Sequence, residues 1–112
     1  MAYDEGLANR IRTALPGDPE ISEKKMFGGL VFLHRGLMFV GVSGSKLLAR
    51  VGKEKYQDSL GHEHVREMDF TGKSMQGYVY VEPPGIKSDR ELNFWLRRCK
   101  EFVSTLPPKV AR

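Results

Sequence analysis

At 112 residues, with 18 Lys and Arg against 14 Asp and Glu, the chain is long enough for one domain with a core of its own and carries a formal charge of +4, an excess that permits contact with polyanions without demanding it. A single cysteine, Cys99, excludes an internal disulfide and a cysteine-based zinc cluster and suits a reducing compartment. The first residues carry acids where a secretory leader carries bases, and no stretch approaches about 18 uninterrupted apolar residues, so the expectation is a soluble, cytoplasmic protein with no membrane segment.

Asp4 stands as an N-cap before Leu7, Ile11 and Leu15, whose four-residue spacing, with Ala8 and Ala14 beside them, predicts a helix of about three turns. Pro16-Gly17-Asp18-Pro19 stops it. Ile21 to Lys25 then leads the chain into a sheet, and Gly28-Gly29 allows a bulge or a close backbone approach as the first strand begins. Leu30–Leu33 and Leu37–Val42 are short apolar runs bounded by Gly, which predicts strands, and His34-Arg35-Gly36 between them predicts an antiparallel hairpin. A third strand is expected over Lys46–Val51, where Leu47, Ala49 and Val51 alternate with Lys46, Leu48 and Arg50.

In the middle run both alternation phases are apolar: Leu37, Phe39 and Gly41 on one side, Met38, Val40 and Val42 on the other. A strand with two apolar faces needs cover on both. Helices supply it on one side, and a second subunit, a partner or the chain's own loops must supply it on the other.

Gly52–Leu60 suits a short surface helix closed by Gly61, and Val65–Phe70 and Met75–Glu82 predict two more strands joined through Thr71-Gly72-Lys73-Ser74. A capping box of Ser88 and Glu91 opens a last helix. Its apolar stripe, Leu92, Trp95, Leu96, Cys99, Phe102, Val103 and Leu106, runs until Pro107. The expected fold is therefore α+β in two layers, a five-stranded antiparallel sheet with helices mainly on one face, in the order α-β-β-β-α-β-β-α, as a single domain over residues 1–112.

Several pieces in this order resemble the N-terminal domain of the TfoX (Sxy) family of bacterial competence regulators. They are Lys25-Met26-Phe27-Gly28-Gly29, Gly36-Leu37-Met38-Phe39, Leu47 to Val51 followed by Tyr56, Gly72-Lys73-Ser74-Met75-Gln76-Gly77-Tyr78, and Trp95-Leu96 with Leu106-Pro107-Pro108-Lys109 after it. The resemblance implies a two-layer fold of the kind secretion chaperones show. It also implies a regulatory role through protein contacts, since the family's fuller members act as coactivators with a cyclic-AMP-dependent transcription factor. Those members carry a second, C-terminal helical domain that these 112 residues do not include.

Candidate chemistry is sparse. Gly72-Lys73-Ser74 has the ending of a phosphate-binding loop, but Glu67 occupies the place of its leading Gly and a strand follows where a helix should open, so a tight turn at Gly72 is the better reading. His62 and His64, with His34 more distant, are read as solvated histidines and not as zinc ligands. Cys99 lies on the apolar stripe of the last helix and reads as a small core residue, not a nucleophile. No serine-nucleophile motif or paired-carboxylate spacing stands in the sequence, so no enzymatic activity, cofactor or metal is expected.

The leading expectation is a regulatory or adaptor domain that forms a homodimer or meets a protein partner through the second face of the sheet, with Met38, Phe39, Tyr78 and Tyr80 as the interface. The other is direct nucleic-acid binding through a basic helix face. Its candidate contacts are Arg50, Arg90, Arg97, Arg98 and Lys100, interrupted by Glu91 and Glu101.

Overall fold

The structure, a computed structural model, describes residues 3–15, 19–26, 28–70 and 73–107. The helix stop predicted at Pro16 and Gly17 and the turn predicted at Gly72 lie outside these residues. Helix α1 spans Glu5–Ala14, and Asp4 caps it by accepting from the backbone N–H groups of Gly6 and Leu7. Strands β1 (Ile21–Met26), β2 (Gly29–His34), β3 (Leu37–Ser43) and β4 (Lys46–Arg50) follow. Then come a short helix α2 (Tyr56–Leu60), strands β5 (Val65–Phe70) and β6 (Lys73–Val81), a 3-10 turn at Pro83–Ile86 and the long helix α3 (Asp89–Ser104). Ser88 and Glu91 close the capping box at the start of α3 as the sequence predicts.

All strands join one antiparallel sheet in the order β1-β2-β3-β4-β6-β5. The sheet has six strands, not five. Ile21–Met26, expected as a lead-in, pairs with β2 along its whole length. Its residues ISEKKM show no apolar alternation because it is an edge strand, and four of the six are exposed. Charged side chains on an edge keep it from pairing with another chain. Arg12 of α1 grips this edge, its guanidinium donating to both carboxylate oxygens of Glu23 at 2.7 and 2.8 Å.

The β2–β3 hairpin turns through two residues, Arg35 and Gly36, both at positive φ, the type I′ geometry whose twist matches that of the flanking strands. At the start of β2 the backbone of β3 comes so close that a Cβ on Gly29 would collide with the carbonyl of Val42. No residue but glycine fits there.

Strand β3 carries the main departure from the expected alternation. Val40 faces Phe32 and Met38 faces Leu33, so Phe39 is an extra residue with no partner on β2. This β-bulge shifts the phase of the strand. Phe39, Val40 and Val42 all enter the core beneath the helices, with Leu37 packed against it, and Met38 alone of the large side chains turns to the other face. The two apolar phases of the sequence are thus one apolar face with a change of step.

Helices α1, α2 and α3 all lie on the same side of the sheet. Leu7, Ile11, Tyr56, Leu92, Trp95 and Leu96 meet Phe32, Leu47, Ala49, Val79 and Val81 in the main core. The outer face holds a smaller cluster, Val31, Met38, Leu48 and Met68, rimmed by Met26, Leu33, Tyr78 and Tyr80. Although no helix covers it, Leu48 is only 1% exposed and Met68 is fully buried. Truncating a fully buried aromatic leaves a cavity, so Phe39→Ala is expected to cost about 3–5 kcal/mol of unfolding free energy. Urea denaturation measures it; a loss below about 1 kcal/mol would take Phe39 out of the core.

Candidate interaction surfaces

The four residues expected to form one apolar interface separate in space. Met38, Tyr78 and Tyr80 share the outer face of the sheet, whereas Phe39, at 0% exposure, is under the helices and cannot contact a partner. The bulge that places Phe39 there also closes the outer face, since Val40 and Val42 go with it. Met38 is itself only 9% exposed, so this face offers no open apolar patch.

The five expected polyanion contacts scatter as well. Arg90 and Arg97 are exposed on α3. Arg98 is held: its guanidinium donates to Asp58 Oδ2 at 2.8 Å and to Ser59 Oγ at 3.0 Å, and lies 4.7 Å from the ring centroid of Phe94. It is a clasp between α3 and α2. Lys100 is half-buried and engaged within the fold. Arg50 donates to the carbonyl of Met38 at 3.1 Å, and its guanidinium lies 5.6 Å from the Tyr78 ring and 5.5 Å from the Phe102 ring. It therefore touches the outer face through Tyr78 and the helix layer through Phe102.

Among the described residues, Phe94 is the one large apolar side chain left exposed, at 40%. It stands on α3 as a ridge between two grooves. One, of about 630 Å³, is floored by Trp95 and walled by His62, His64 and Pro84. His62 packs on the Phe94 and Trp95 rings, with centroids 5.3 and 5.2 Å away. The other, of about 740 Å³, follows α3 from Phe94 past Arg97 and Phe102 to Thr105, with Val51, Lys53 and Lys55 of the β4–α2 loop as its far wall. That wall fits tightly because Gly52, at φ 85°, lets Phe102 lie directly against its Cα; a Cβ there would enter the ring. Among the described residues, Lys53, Lys55 and Arg97 make no ion pair.

Sequence reasoning passed over Phe94 because it falls outside the stripe that faces the core. That was the available signal: a large aromatic off the buried face of an amphipathic helix is not accounted for by the core. Among the described residues, no three His, Cys, Asp or Glu side chains gather closely enough to hold a metal ion, and no helix is long and apolar enough to cross a membrane. His34 sits instead beside Phe39 and Glu20, away from His62.

Two titrating groups give tests. Burial pushes the Cys99 thiol far up, so it stays protonated at neutral pH. A thiol-specific reagent is expected to label it only once the chain is unfolded, and labelling at the rate of a free thiol in the native state would contradict the burial. The Arg98 hydrogen bond, followed by its charge, holds the Asp58 carboxyl below its ordinary range. A depressed carboxyl adds stability above its unfolded value, about pH 4, and loses it as the pH falls through the lower folded value. Asp58→Asn is therefore expected to melt lower than the parent at pH 7, with the gap narrowing below about pH 4. A pH series of thermal melts checks this.

Comparison with curated proteins and with solved structures returns no significant match. The model of the TfoX N-terminal domain matches residues 14–103, from the end of α1 through nearly all of α3, and so takes in every strand of the sheet. On that span the chain belongs to the TfoX N-terminal domain family.

Proposed function

We propose that this chain is a non-enzymatic regulatory domain that acts by docking another protein along α3. The observation that carries the reading is the exposed ridge of Phe94 beside a groove of about 740 Å³. Phe94, Arg97, Phe102 and Thr105 recur at three- to five-residue spacings, and eleven residues of helix rise about 17 Å. That length accommodates about three turns of a partner helix laid in the groove, with apolar anchors on Phe94 and Phe102. The unpaired Lys53, Lys55 and Arg97 outnumber the two carboxylates of the groove, Glu54 and Glu101, and favour a partner helix with an acidic flank. Membership of the TfoX N-terminal domain family supports a regulatory class of function.

A second copy of this chain is the other occupant to be distinguished. The argument for it from a two-faced strand falls with the bulge, and the groove along α3 is not self-complementary in charge. Site-specific photo-crosslinking in the native host tests the proposal. A photoreactive residue at position 94 or 97 is expected to give a discrete adduct with one protein, which Phe102→Asp abolishes, while the same residue at position 24 gives none. Adducts of twice the chain mass would identify a homodimer. Absence of any adduct from positions 94, 97 and 55 would overturn the docking reading.

A further inference from the structure

The outer face of the sheet has a property that the helix layer lacks. Paired residues project to the same face, so the register fixes one continuous row across the sheet: Lys24 beside Val31, then Gly41, Leu48, Tyr80 and Arg66. A second row places Arg50 beside Tyr78. Lys46, on the same side of β4 as Leu48 and Arg50, holds its ammonium 4.9 Å from the Tyr80 ring centroid. Among the residues whose side chains are described, this face thus carries four cations, Lys24, Lys46, Arg50 and Arg66, against one carboxylate, Glu82, which is paired with Arg66 at 2.7 Å. The helix layer mixes its signs, with Asp89, Arg90 and Glu91 adjacent and Arg97 followed by Glu101.

From this we infer that the open sheet face binds single-stranded nucleic acid, with the cations on phosphates and Tyr78 and Tyr80 against the bases. The apolar floor beneath is closed: Val31, Leu48 and Met68 are at most 1% exposed. A protein partner would find no place here to bury its anchors, and interfaces depend on such burial. A polyanion needs none. Its affinity comes from counterions released by Lys and Arg, and flat aromatic side chains on an uncovered sheet are how single strands are held elsewhere. From Lys24 on β1 to Arg66 on β5 the row crosses five strand spacings, about 24 Å, enough for several nucleotides. Lys46 and Arg50 lie between the two ends, each resting against a tyrosine ring, and each must swing onto a phosphate for that ring to meet a base. The face is separate from the groove on α3, so this inference does not rest on the docking reading.

Fluorescence anisotropy with a labelled single-stranded DNA of about 12 nucleotides tests it, a length within the range such surfaces cover. Binding is expected at low salt, with log affinity falling against log salt at a slope near −3 if the four cations each meet a phosphate. The double variant Lys24→Glu/Lys46→Glu changes two exposed or half-exposed side chains and is expected to keep the parent's circular dichroism while losing affinity by at least about tenfold. Arg97→Glu, on the helix layer, is expected to leave binding within about twofold, and Tyr78→Ser/Tyr80→Ser to weaken the strand without changing the salt slope. The inference is overturned by no binding at low salt, or by an equal loss in Arg97→Glu. Tighter binding of the matching duplex, or capture by phosphatidylglycerol vesicles in place of the oligonucleotide, would overturn it as well.

Discussion

The bulge at Phe39 is the constraint on which the rest of this structure depends. One unpaired residue in β3 lets Phe39, Val40 and Val42 all descend into the core beneath α1 and α3. A strict two-residue period would have divided them between the faces and left the outer side of the sheet with two more valines to cover. A domain this small has only one layer of helices to offer. By changing step, the strand puts nearly all of its apolar volume where that layer can shield it, and leaves the outer face with a cluster small enough for its own rim side chains to close. The fold can therefore stand with one face of its sheet uncovered by helices.

Much of the architecture was legible in the residues. The caps at Asp4 and Ser88, the apolar runs of β2 and β3, the alternation of β6 from Tyr78 to Val81 and the stripe of α3 all follow local rules that the structure obeys. What could not be read has a common cause. β1 is a strand because β2 provides hydrogen-bonding partners, not because its own residues ISEKKM favour the sheet. The bulge likewise exists in the register between two strands; no property of Phe39 alone announces it. Gly52 to Lys55, expected to be helical, forms a turn instead: Gly52 stands at φ 85° against Phe102, and the carbonyl of Gly77 accepts from the N–H groups of Val51 and Gly52.

The candidate sites fared according to the same distinction. Counting charges located a basic cluster on α3, yet the fold engages Arg98 with Asp58 and Ser59 and sends Arg50 elsewhere. Charge in sequence order says little about charge on a surface. Only the strand pairing gathers Lys24 of β1, Lys46 and Arg50 of β4 and Arg66 of β5 on a single face. Phe94 was visible as an aromatic without a buried role, but its groove is made by a loop some forty residues earlier in the chain.

Arg50 gives the two surfaces a common part. Its guanidinium rests near Phe102, which lines the groove beside α3, and near Tyr78, which belongs to the opposite side of the sheet. A ligand that rotates Phe102 withdraws one of the cation's aromatic supports, and a ligand that draws the cation outward withdraws the packing of Phe102. One side chain thus spans the thickness of the sheet, so removing it would take a cation from Tyr78 on one side and from Phe102 on the other.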